Sequence, residues 1–321
     1  MLDVEPPPRI SWPRDVDTVI TQLRALLAAG EMDLPLPGGG DTAGRWATLA
    51  RLGRRDLALA RLAEGHADAT AILAEAGRKP APDALYGVWA ARSGGTGAML
   101  RGRTLNGAVR FCSGAHHLDR ALIAALDADG RSVLFDVELA QERVAVVPGT
   151  WVPLGMDASD SPDVLLRDIE VTDDMAVGET GFYLDRPGFW QGGIGVAAVW
   201  LGGAAGVVDD VLAGLTDPDA HQLAHVGALH TAIRSTEALV SSAASTVDEA
   251  PAGDHKLLAW TCRSAAERTA WDVLDRVPRI TGPTPMCRDR RFAQRLADLQ
   301  VYVRQHHAEK DLAAIGREVL K

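Results

Sequence analysis

The 321-residue chain is poor in cysteine, aromatic residues and positive charge, and each shortage removes a class of answer. Three cysteines, Cys112, Cys262 and Cys287, lie far apart with no paired spacing. That spacing excludes a zinc knuckle or a disulfide framework, so no metal site is expected and a reducing compartment is. Aromatics make up 5% of the sequence, so a core must be built mainly from Ala, Leu and Val. The formal charge of -10 argues against a nucleic-acid partner, because phosphate binding needs a basic surface. Residues 1–13 carry acidic residues and prolines where a signal peptide has basic residues and an apolar run. No uninterrupted apolar stretch reads as long enough to span a bilayer. The expectation is a cytoplasmic protein with no membrane partner.

What is present falls into three textures, which define an expected α+β multidomain fold. Residues 1–84 read as an N-terminal helical lobe: Val16 to Ala29 is apolar at helical spacing, and a second stretch from Trp46 steps through Leu59, Leu62, His66, Ala69 and Leu73. Residues 85–177 change period. Asn106-Gly107 and Asp129-Gly130 read as hairpin turns, and Val133, Phe135 and Val137 alternate with their neighbours. Short, closely spaced strands of this kind predict an antiparallel sandwich or barrel. Residues 178–321 return to helical period and predict a four-helix bundle. Gly193, Gly195, Gly203 and Gly206 lack the spacing and preceding strand of a dinucleotide-binding turn and read as helix-packing glycines.

The stretch Leu105-Asn106-Gly107-Ala108-Val109-Arg110-Phe111-Cys112-Ser113-Gly114-Ala115 resembles the β-domain signature of the acyl-CoA dehydrogenase superfamily. Trp151 to Val164, with Ser159-Asp160-Ser161, resembles the family's strand connection, and Val171 to Gly181 resembles its exit strand. The order of lobes agrees over nearly the whole chain. The resemblance implies an FAD-dependent oxidoreductase acting on an acyl thioester or related small acyl substrate. It implies cofactor contacts from Trp89, Phe111, Cys112 and Ser113, with Phe111 lying against the flavin ring and the Ser113 hydroxyl near its redox nitrogens. It also implies an electron-transfer flavoprotein or reductase as partner, and a homodimer or homotetramer. The alternative for Phe111 and Ser113 is strand core and turn.

The departures bear on the reaction. Registering the family's C-terminal Asp on Asp298 puts its carboxylate base near His306, and a second known base position falls on Val196. Neither is an acid. His306 and His307 are the substitute candidates, since a histidine can act as a base near neutral pH. Against that, His306 continues an apolar stripe with Phe292, Leu296, Leu299 and Val303, as a packed histidine would. His116-His117 reads equally as a substrate contact or a polar turn. Two other readings therefore stay open: a flavin-dependent monooxygenase of the same fold, and a non-enzymatic subunit that has lost the base.

Overall fold

Aspartates set most of the long helices. The computed structural model describes residues 1–2, 5–10 and 12–321. In it, Asp15 caps α1 (Val16–Ala28), Asp41 caps α2 (Thr42–Arg55) and Asp56 caps α3 (Leu57–Glu75). In each case the carboxylate accepts a hydrogen bond from a first-turn backbone N–H that has no partner within the helix. The stretch expected to be one helix from Trp46 is thus two, broken where Asp56 turns extended to form its cap. Asp219 forms a full capping box with Gln222 at α6 (Ala220–Glu249), and Asp289 caps α9 (Arg290–Tyr302).

Seven strands follow α3: β1 (Tyr86–Trp89), β2 (Gly97–Arg101), β3 (Thr104–Val109), β4 (Arg120–Leu126), β5 (Ser132–Glu138), β6 (Val144–Val146) and β7 (Val164–Glu170). They form one curled sheet in the order β1-β4-β2-β3-β7-β6, with β5 also paired to β4. The sheet is mixed, which corrects the antiparallel expectation: β4 runs parallel to both β1 and β2. The long turn at residues 110–119 carries the chain from β3 past β2 and delivers β4 in the same direction as β1. Asn106-Gly107 is a further correction. The β2–β3 turn lies at Gly102-Arg103, and Asn106-Gly107 sits inside β3 at an irregularity in its pairing with β7. Gly107 has φ +129, and a side chain there would strike the Gly97 carbonyl, so glycine marks a bulge rather than a turn. Asp129-Gly130 does turn β4 into β5, with the Asp127 carboxylate accepting from the N–H groups of Asp129 and Arg131.

The remaining helices are α4 (Phe182–Asp185), α5 (Gly188–Gly214), α7 (Lys256–Thr281), α8 (Thr284–Arg288) and α10 (Glu309–Val319), together with α6 and α9. By length and composition α5 could cross a membrane, contrary to the sequence expectation, but 78% of its most apolar window is buried inside the fold. Its glycines explain how. A side chain at Gly202 would strike the Ala50 carbonyl of α2, and one at Gly53 of α2 would strike the Val199 carbonyl of α5. The two helices meet backbone to backbone. One large hydrophobic core joins α1, α2, α3, α5, α6, α7 and α9 with one face of the sheet, and a smaller cluster of Ile72, Leu73, Tyr86, Leu122 and Leu134 packs α3 against the other face.

Candidate functional site

A cleft of about 670 Å³ opens between the sheet and the helices. One wall is the turn after β3 and the loop before β7. Phe111 takes a left-handed conformation (φ +57) and leaves its side chain 56% exposed, which a residue serving as strand core would not do. Trp151 and Met156 extend this wall, and Trp89 lines the cleft from β1 while its indole N–H donates to the Ser113 carbonyl at 3.3 Å.

Ser113 is the polar point of that wall. Its hydroxyl accepts a hydrogen bond from Ser161 Oγ at 2.9 Å, and Ser161 in turn lies 2.9 Å from Ser159 Oγ. Ser159 donates to the Met156 carbonyl at 2.8 Å. Each hydroxyl has one proton. Ser159 is committed to a carbonyl, and Ser161 donates to Ser113 at 2.9 Å with the Ser159 carbonyl as a longer alternative at 3.3 Å. Ser113 is placed only as an acceptor, so its proton has no acceptor among the described residues and stays available to the cleft. All three serines are buried. The loop that carries them is clamped on both sides. The Asp160 carbonyl accepts from Gly114 N–H at 2.7 Å and from Ala115 N–H at 3.2 Å, and its carboxylate binds the backbone and ring of His116, each at 2.8 Å. The Pro162 carbonyl accepts from Cys112 N–H at 2.9 Å.

Behind the loop, Asp298 on α9 accepts from Met156 N–H at 2.6 Å, from Gln294 Nε2 at 3.0 Å and from Arg14 Nη1 at 2.5 Å. Arg14 also reaches Asp56 at 3.1 Å and contacts Asp157. One buried carboxylate therefore ties the segment before α1, the serine loop and α9.

The opposite wall is helical: Arg61 of α3, Tyr183 of α4, Arg263 of α7 and Tyr302 of α9. Arg61 is paired with Glu64 at 2.6 Å. Arg263 stacks over the Trp200 ring at 4.6 Å and donates to the carbonyls of Gly193 (3.2 Å) and Gln305 (3.3 Å). Burial pushes both phenols up, so Tyr183 and Tyr302 keep their protons at neutral pH.

The structure brings Trp89, Phe111, Ser113 and His307 to this cleft and leaves the other named candidates outside it. Cys112 is fully buried, and its thiol lies against the Val109 carbonyl, so its side chain is core. Burial also pushes its pKa up, which keeps it a thiol. His306 is buried beside the cleft rather than lining it. Its Nδ1 accepts from Ala308 N–H at 3.1 Å, which places the ring proton on Nε2, facing Ser264 Oγ at 3.0 Å. Burial pushes its pKa down, and it is a packed, neutral histidine. His307 is exposed at the rim, 3.4 Å from Asp311. His116 and His117 face Asp160 and Asp17 and do not line the cleft. Arg61, Arg263 and Tyr302 were missed by sequence reading, and so was the part Ser161 plays. The Ser159-Asp160-Ser161 run was the available signal for the serine chain; the helical residues carry no local motif.

No protein-family model and no curated protein matches the chain. Among solved structures it is similar to dibenzothiophene monooxygenase TdsC from Paenibacillus sp. A11-2 in complex with FMN and indole. That match has a TM-score of 0.77 and 19% identity, covering 95% of this chain and 89% of that one. It is also similar to methanesulfinate monooxygenase MsuC from Pseudomonas fluorescens (TM-score 0.74, 16% identity, 96% and 97% covered). A structure of the electron transferring flavoprotein of Acidaminococcus fermentans matches as well (0.81, 16%, 96% and 90%). At these identities the likeness establishes the fold alone, an α+β arrangement of helices and a curled mixed sheet that is consistent with the acyl-CoA dehydrogenase-like one.

Proposed function

We propose that the chain is a flavin-dependent oxidoreductase of the oxygen-using, monooxygenase kind. The observation that carries this reading is the Ser113 hydroxyl, buried, fixed by Ser161 and with its proton directed to no protein acceptor. The cleft fits a flavin on two further counts. Phe111 and Trp151 offer apolar ring faces to a flat heteroaromatic group, and the volume suits such a group together with a small substrate. When bound, a flavin supplies the electron exchange with substrate and oxygen. The protein's own part is to hold Ser113 as donor, to supply the aromatic wall, and to exclude water with the helical wall. The FMN in TdsC and the monooxygenase names of TdsC and MsuC support the reading; FAD, as the sequence resemblance implies, is the other flavin to test.

The oxygen-using reading is preferred to dehydrogenation of an acyl thioester for one reason. Among the described residues, those lining the cleft include no aspartate or glutamate, His306 is turned away from it, and the one lining histidine, His307, is exposed at the rim beside Asp311, so no buried base is placed to take an α-proton. A separate reductase is then the partner to seek, and a second copy of the chain is the assembly to test by light scattering. The experiment is titration of the purified protein with FMN and with FAD, oxidised and chemically reduced, followed by oxygen uptake. Saturable binding of one flavin, weakened about tenfold in Ser113→Ala, is the expected result. Retention of neither flavin in either redox state would sink the reading and leave the non-enzymatic subunit.

A further inference from the structure

The helical end of the cleft carries polar groups that the fold itself does not satisfy. Tyr302 is 2% exposed, yet its hydroxyl has no hydrogen-bond partner among the described residues. Arg61 lies beside it without a hydrogen bond of acceptable geometry, its Nη1 committed to Glu64 and its Nε also without a partner. Arg263 has carbonyl and ring contacts, but no carboxylate oxygen lies within 4.0 Å of it among the described residues. A buried hydroxyl without a partner is costly, and Arg263 is half-buried with Asp311 and Glu64 near it but bonded to neither, so both groups are placed where a ligand would complete them.

We infer that Arg263 and Tyr302 form an oxyanion subsite that receives the anionic head of a small aromatic or aliphatic substrate: a carboxylate, sulfinate or phenolate. Tyr302 donates through its hydroxyl, Arg263 supplies the charge, and the Arg61–Glu64 pair, itself neutral overall, holds the cation side in place. The inference deepens the proposed function by naming the substrate class, and it rests on that reading for the flavin occupying the opposite, β-sheet wall. A neutral thioester would leave Arg263 without a counter-charge.

The test is calorimetric titration of the full chain, with and without saturating flavin, using benzoate and its neutral isostere benzamide. Benzoate is expected to bind at least about tenfold more tightly than benzamide, both with and without flavin. Arg263→Gln should abolish that preference, Arg263→Lys should keep part of it, and Tyr302→Phe should weaken benzoate about three- to tenfold. Circular dichroism and melting curves confirm that each variant is folded. Equal affinity for the two probes, no measurable benzoate binding, or a preference that survives in folded Arg263→Gln overturns the inference. So does displacement of benzoate by flavin, which would assign the cation to the cofactor. Flavin titration is read separately: selective benzoate binding without flavin binding defeats the proposed function and leaves the subsite standing.

Discussion

Asp298 and Tyr302 are one helical turn apart on α9, both buried, and they could hardly be treated more differently. Asp298 has both carboxylate oxygens engaged, by Arg14, Gln294 and the Met156 backbone. Tyr302 has a hydroxyl that touches nothing polar in acceptable geometry. The first arrangement is what a fold does with a polar group it needs for its own cohesion. The second is what it keeps for something else. The same division runs across the cleft, where Ser159 and Ser161 are spent within the protein and Ser113 alone retains a proton to give.

The comparison can be broken at its satisfied end first. Asp298→Ala should cost about 3 kcal/mol, because it removes a charge partner from buried Arg14 and the acceptor of Met156 N–H; chemical denaturation measures it. A loss of under about 1 kcal/mol would mean the staple is ornamental. His66 is another satisfied group, its Nδ1 accepting from Tyr86 N–H at 3.2 Å, and burial pushes its pKa down from 6.5 to about 4. The folded state keeps it neutral while the unfolded chain protonates it. Its stabilisation is therefore present above about pH 6.5 and is lost as pH falls toward about 4. Between about pH 7 and pH 5 the His66 share is about 2 kcal/mol, and the pH slope of stability should flatten in His66→Gln.

The unsatisfied end should behave in the opposite sense. Ser113→Ala should lower flavin affinity about tenfold while shifting stability little, since it removes a proton that no protein atom accepts and leaves Ser161 free to turn its own proton to the Ser159 carbonyl 3.3 Å away. A large loss of stability with unchanged flavin affinity would make Ser113 a structural residue. Tyr302→Phe should produce the smallest stability change, near zero or slightly positive, because it deletes a buried hydroxyl that has no partner. A clear fall in melting temperature would reveal an internal bond and remove the contrast with Asp298.

Much of the architecture was legible in the chain because it rests on local periodicity. The change from helical to alternating spacing near residue 85, and back after residue 178, follows from which side chains face the core in each element. The direction of β4 was not legible: two strands flanking a third look alike in sequence whether they run with it or against it. Asn106-Gly107 misled because the same dipeptide that favours a tight turn also tolerates a bulge. In the site, Phe111 and Ser113 could be named because they belong to one continuous segment. Arg61, Arg263 and Tyr302 come from three helices, and only the tertiary fold puts them on one wall. His306 illustrates the converse: its place on an apolar stripe spoke for packing, and the structure turns it inward.

The close approach of α2 and α5, at Gly53 against Val199 and at Gly202 against Ala50, bears on how the chain is made as well as on how it is held. During synthesis α2 is complete before α5 appears, whereas α7, the other large neighbour of α5, follows it. The glycine seam gives this apolar 27-residue helix a partner the moment it emerges. A side chain that blocked the seam would leave α5 unclaimed until α7 arrived, the interval in which chaperones and membrane-insertion machinery compete for such a segment. Two hydrogen atoms in place of two side chains thus let α5 close on α2 without waiting for α7.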